Sequence, residues 1–110
     1  IETAKENHWN YHTGIIHSHE SFYIDTNAEE EKKWSAMGVL GADMETAALF
    51  IIGGLRGVKT ASILNTVSLY EGNLEEEINN YVDADNAAAV GEEHEIIAAL
   101  ETIVRMDKKN

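Results

Sequence analysis

The stretch Gly41-Ala42-Asp43-Met44-Glu45-Thr46-Ala47-Ala48-Leu49 runs on into Phe50, Ile51, Ile52 and Leu55. Met44, Ala47, Ala48, Ile51, Ile52 and Leu55 recur at helical spacing, which predicts a buried helix entered by a loop that carries Asp43 and Glu45. Carboxylates at such an entry face free backbone N–H groups and the positive end of the helix dipole, so their ionised form is favoured. An ionised carboxylate only accepts hydrogen bonds, which suits the hydroxyls of a polyol such as ribose. The same placement also describes an N-cap at Asp43 with a first-turn acid at Glu45, and the residues alone leave both readings open.

Outward from that motif, Val39 and Leu40 read as a short buried strand leading in, and Gly57 terminates the central helix near Arg56. Upstream, Asn27 with Glu30 three residues on resembles a capping box, followed by a charged helix over Ala28–Ala36 that turns Trp34 to the core and stops at Gly38. Tyr11–Ser18 reads as a strand, and His19, Glu20, Ser21, Phe22 and Tyr23 form its exit, the usual place for ligand contacts in open α/β sheets. Ile1–Asn10 is polar and reads as a connector. Downstream, Lys59–Leu69 alternates as a strand, with Asn65 as the polar exception on its apolar face and best explained as a hydrogen-bonded bracket. Leu74–Val82 is predicted as an acidic amphipathic helix capped by Asn73 with Glu76, showing Leu74, Ile78, Tyr81 and Val82 on one face. A final helix is expected from about Asn86 to Met106, with Val90, Ile96, Ile97, Leu100, Ile103 and Val104 on its buried side. Strands alternating with helices, without hairpin turns, predict an α/β fold with helices on both faces of a sheet.

At 110 residues the chain is at most one domain, just long enough to bury a core. Two good strands and one short one are fewer than a self-sufficient sheet normally has, so something else should complete it. The first residue is Ile1, and the sequence is expected to be part of a longer protein. Eight Lys and Arg against 20 Asp and Glu give a formal net charge of −12, which repels phosphate backbones and anionic lipid. No nucleic-acid or membrane partner is expected, and no apolar run approaches the roughly 20 residues that span a bilayer. There is no cysteine, which excludes disulfides and thiolate metal sites and makes the cytoplasm the default location.

His8 with His12, and His17 with His19, have spacings that suit imidazole ligands, but no third ligand has diagnostic spacing and no metal site is predicted. Gly53-Gly54 falls inside a helix and Gly38 with Gly41 lacks the spacing of a phosphate loop. No serine occupies a nucleophile elbow. An aromatic at a strand exit, as at Phe22-Tyr23, can stack on a planar base or fill a core.

Taken together, Ser18-His19-Glu20-Ser21-Phe22-Tyr23, then Gly38 through Ala48, then Gly57-Val58-Lys59-Thr60, resemble the nucleoside phosphorylase family of uridine phosphorylase and hexameric purine nucleoside phosphorylase. The likeness covers about the whole chain in order. It implies the C-terminal half of a phosphorylase-type α/β sandwich, with a mixed central sheet flanked by helices, and residues 1–110 as part of a single domain. It further implies Glu45 on the ribose hydroxyls, Met44 against the sugar and Phe22 stacked on the base. The acid before the methionine is usually glutamate in the family, where this chain has Asp43, one methylene shorter.

Purine members carry an aspartate after the late strand that protonates the base, and here that region reads Thr66-Val67-Ser68-Leu69. That departure points to uridine, although Ile24-Asp25-Thr26-Asn27-Ala28 lacks the glutamine and arginine with which uridine phosphorylases read uracil. No cofactor is implied beyond inorganic phosphate as co-substrate. None of the eight Lys and Arg residues lies in the motif, so the phosphate site is expected from an N-terminal half of the same domain, and the family's habit implies a homo-oligomer. The expectation is phosphorolysis of uridine; the rival readings are a catalytically silent nucleoside-binding domain, or a purine-specific phosphorylase or nucleosidase.

Overall fold

The computed structural model describes residues 1–21, 23–69, 71–82 and 87–109. It divides into two units, His12–Ser62 and a second formed by Ile1–Tyr11 with Ile63–Asn110.

The first unit is a β-α-β-α run: β1 (Ile16–Ser18), α2 (Asn27–Ala36), β2 (Gly41–Asp43) and α3 (Thr46–Leu55); α1 precedes it in the other unit. β1 and β2 pair in parallel with Ile16 opposite Gly41, His17 opposite Ala42 and Ser18 opposite Asp43. Leu40 N donates to the Ile15 carbonyl at 2.9 Å and His19 N to the Asp43 carbonyl at 3.0 Å, so the ladder runs one residue past each end. A parallel pair requires a crossover, and α2 supplies it. Gly38 and Gly57, at φ +82° and +67°, end α2 and α3, and the amides beyond them close back onto Trp34 and Gly53 carbonyls. Trp34 packs its ring 4.5 Å from that of His17, which fixes α2 against β1.

Three expectations change in this unit. The strand expected over Tyr11–Ser18 is ladder-bonded only at Ile16–Ser18. The second strand falls on Gly41–Asp43, inside the central motif, and Leu40 is 53% exposed rather than buried. α2 begins at Asn27 with Thr26 as the cap residue and no capping side-chain bond; the Asn27 amide instead donates to Glu31 one turn on, at 3.1 Å.

In the second unit α1 (Glu2–Glu6), where a connector was expected, lies against α5 (Ala87–Lys109). Arg105 reaches Glu6 at 2.5 Å and Glu2 at 3.2 Å, while Trp9 stacks on His94 with ring centres 4.1 Å apart. A five-residue helix has little stability of its own, so it is this tertiary pairing that sustains α1. α4 (Leu74–Val82) is capped as expected, Glu76 N donating to Asn73 Oδ1 at 3.2 Å. The side chains of Leu74 and Tyr81, expected on its buried face, lie outside the described ones; Val82 is exposed.

Lys59–Leu69 was expected to be the clearest strand, yet among the described residues it joins no ladder. Alternation prepares a segment for a sheet, but strand structure exists only where another strand offers its N–H and C=O groups. The core expectation changes for a related reason. Among the described residues Ala88 is the one buried hydrophobic side chain, and the apolar residues of α3 and α5 stay exposed, Leu55 at 81% and Ile103 at 65%. No described helix is long and apolar enough to cross a membrane.

Asn65 is the expected bracket: its Nδ2 donates to the Ala88 carbonyl at 2.6 Å, and a Cβ at Gly91 would stand 2.0 Å from its Oδ1. Gly91 therefore sits in the α5 helix because Asn65 needs the space, although alanine there would gain about 1 kcal/mol of helix propensity. Gly91→Ala is expected to lower stability by about 1 kcal/mol net, because displacing Asn65 and leaving its partner unsatisfied costs about 2 kcal/mol against the propensity gained. In an Asn65→Ala background the same substitution should become stabilising, and urea unfolding of the four-variant cycle measures the reversal.

Candidate functional site

Because β1 and β2 are parallel and Ser18 lies opposite Asp43, their carboxyl ends share one edge of the sheet. Both segments of interest leave from that edge: residues 19–21 after β1, and Met44-Glu45 between β2 and α3. Ligands of open parallel sheets bind outside such carboxyl ends.

The junction is organised by Asp43. Its Oδ1 accepts from the Ser18 hydroxyl and its Oδ2 from both the Thr46 hydroxyl and the Thr46 backbone N–H, the latter at 2.9 Å. Ser18 Oγ in turn accepts from the Ala47 backbone N–H at 3.0 Å, and Thr46 Oγ1 lies 3.0 Å from the Ser62 hydroxyl. Burial on its own would raise the Asp43 pKa, but donation from Ser18 and Thr46 outweighs it and holds the carboxyl below its ordinary value. Thr46 itself is buried.

Glu45 is exposed, at the N-terminal mouth of α3, and its Oε2 accepts from the Met44 backbone N–H at 3.2 Å. Met44 is 40% exposed beside it. Phe22, expected to stack on a base, lies outside the described residues. In the loop after β1, His19 Nδ1 lies 2.9 Å from the Ser21 carbonyl, and the His17 and His19 rings are 5.7 Å apart. A groove lined by Leu49, Ile52, Gly53, Arg56, Val58 and Thr60 runs along α3 and includes none of the expected site residues.

The structure thus places Glu45 at the entry to α3 as the sequence indicated, puts Asp43 in β2 rather than in the entering loop, and joins Ser18, Thr46 and Ser62 to it. Thr46 was legible in principle, since a hydroxyl residue three positions after an acid is a common helix-start pairing. Ser18 and Ser62 were not, because each reaches the motif through chain separated from it by a strand or a helix. Of the cations, Arg105 is paired with Glu2 and Glu6, and Lys33 lies 3.4 Å from Glu30.

Comparison with known proteins adds a family. The model of the Phosphorylase superfamily matches residues 1–103. A purine nucleoside phosphorylase DeoD-type of Clostridium perfringens (strain SM101 / Type A) is 38% identical over 63 residues, covering 57% of this chain and 26% of that protein. The protein of the same name from Clostridium beijerinckii is 40% identical over 67 residues, 61% of this chain and 27% of its own. The matched stretch therefore spans about a quarter of the length of these relatives. No solved structure matches the chain.

Asp43 makes the site acid-sensitive in a defined direction. With its native pKa below the ordinary 3.8, the unfolded chain binds the proton more readily, so its contribution is complete above that value and disappears as pH falls through the native pKa. Between about pH 4 and pH 2 the wild type should lose stability more steeply than Asp43→Asn, which starts lower and lacks this component. Unfolding midpoints across that range, followed by circular dichroism, measure the difference.

Proposed function

We propose, from the premise that this chain belongs to the phosphorylase superfamily, that it forms the sugar-holding and base-holding part of a nucleoside phosphorylase. Residues 1–110 would then be the C-terminal part of a single domain, an α/β sandwich whose mixed central sheet is completed by polypeptide outside this sequence. The observation that supports the reading is the in-register end of two parallel strands, from which the chain leaving β1 at His19 and the chain carrying Glu45 depart along one edge.

In this reading the Glu45 carboxylate leaves the Met44 N–H and accepts from the two ribose hydroxyls, with Met44 against the sugar ring and Phe22 on the base. Inorganic phosphate attacks C1′ as the bond to the base breaks, giving free base and ribose 1-phosphate through an oxocarbenium-like sugar. Catalysis rests on positioning and on charge stabilisation, with no organic cofactor or metal required. Cationic groups must hold the phosphate, and the paired Arg105 and Lys33 are not offered for it. They would come from the polypeptide that completes the domain, and the family's oligomeric habit supports self-association.

The relatives' names support a purine nucleoside as substrate. The absence of an acid in Thr66–Leu69 supports the second reading, uridine. Inosine, adenosine and uridine assayed on the intact protein with and without phosphate decide between them. Base release that requires phosphate supports a phosphorylase, release without it a nucleosidase, and binding without release a silent nucleoside-binding domain. Glu45→Ala is expected to lower kcat/KM by about 100-fold, the loss of charge-assisted hydrogen bonds to the sugar. Unchanged turnover would remove the ribose role.

A further inference from the structure

We propose that Asp43 is a positioning residue rather than a sugar ligand, and that the Ser18 hydroxyl on β1 sets it so that Asp43 fixes the backbone of Glu45. The inference rests on the reading of Glu45 as the group that holds ribose.

A carboxylate offers about four acceptor positions. Asp43 already meets three donors: the Ser18 hydroxyl on Oδ1, and the Thr46 hydroxyl and the Thr46 N–H, the latter at 2.9 Å, on Oδ2. Oδ2 is filled and Oδ1 is engaged by Ser18, so the carboxylate is committed to the helix entry. What those bonds do is hold the helix entry. The N–H of Thr46 closes on Asp43 and that of Ala47 on Ser18 Oγ at 3.0 Å, so the two successive amides that follow Glu45 are held by two side chains.

Ser18 is the member of this set that belongs to another strand. It stands opposite Asp43 in the ladder, donates to its carboxylate and accepts from α3, so it ties the helix entry to the rigid sheet edge. Thr46 fixes the other carboxylate oxygen and is anchored in turn by the Ser62 hydroxyl at 3.0 Å. With the two amides that follow it held, the backbone of Glu45 is fixed on its C-terminal side. Productive geometry at a binding group tolerates about 0.5 Å of error, which is what a backbone held at consecutive amides supplies. The titratable groups on the flanking elements are His17 of β1, His19 just beyond its end, and Glu45 itself.

The test is steady-state kinetics on the intact protein, with phosphate and whichever of inosine or uridine it turns over. Ser18→Ala is expected to raise the nucleoside KM about tenfold while leaving the phosphate KM unchanged, since the disturbance lies at the sugar. The acidic limb of kcat/KM should move to higher pH, because Asp43 loses a donor that lowers its pKa. Ser18→Thr, which keeps the hydroxyl, should recover most of both losses. Asp43→Asn, which keeps the shape but weakens the acceptor, should give the same rise in nucleoside KM and serves if Ser18→Ala does not fold. A wild-type nucleoside KM and acidic limb in Ser18→Ala, alongside an impaired Glu45→Ala, would overturn this proposal and leave the ribose reading standing. An unimpaired Glu45→Ala would overturn the ribose reading and this inference with it.

Discussion

One carboxylate holds the junction on which the rest of the β-α-β-α unit depends. A parallel strand pair of three residues a side has few ladder bonds, and a helix emerging from it leaves its first amides without carbonyl partners. Asp43 answers both needs, because its oxygens take hydroxyl and amide donors from a neighbouring strand and from the helix at once. Partial burial works against its charge, and the donors that surround it outweigh that cost. The exposed glutamate two residues on takes no part in that network and accepts from the Met44 N–H.

The remaining surfaces tell a second physical story. α3 carries Leu49, Phe50, Ile51, Ile52 and Leu55 around its circumference, and a helix apolar on all sides is a helix built for an interior. Lys59–Leu69 has a strand's alternation and no ladder among the described residues. Both features have the chemistry of elements awaiting neighbours. They agree with the small share of its relatives' length that the matched stretch spans, and with the proposal that further polypeptide completes the sheet and brings the phosphate site.

The family resemblance and the bottom-up reading met at different residues. The acid-Met-Glu run pointed to a sugar site by its chemistry and to phosphorylases by its likeness, and the family match over residues 1–103 bears out the latter. The base is the finer question: Thr66–Leu69 carries no acid, and a purine leaving group needs a proton that a pyrimidine does not take at the same place.

Local chemistry in the sequence was enough for the helices α2 to α5, the stops at Gly38 and Gly57, the cap at Asn73 and the Asn65 bracket, because each depends on residues within a turn or on a polar group that had to be satisfied. It was also enough to place Glu45 at a helix mouth. Only the tertiary structure decided which segments became strands, since a ladder is a property of two stretches of chain and Lys59–Leu69 finds no second one among the described residues. It alone formed α1, whose two glutamates gain a partner in Arg105 far along the chain. And it alone joined Ser18 and Ser62 to Asp43 and Thr46, because no pattern of spacing encodes a hydrogen bond between residues that meet only when the chain has folded.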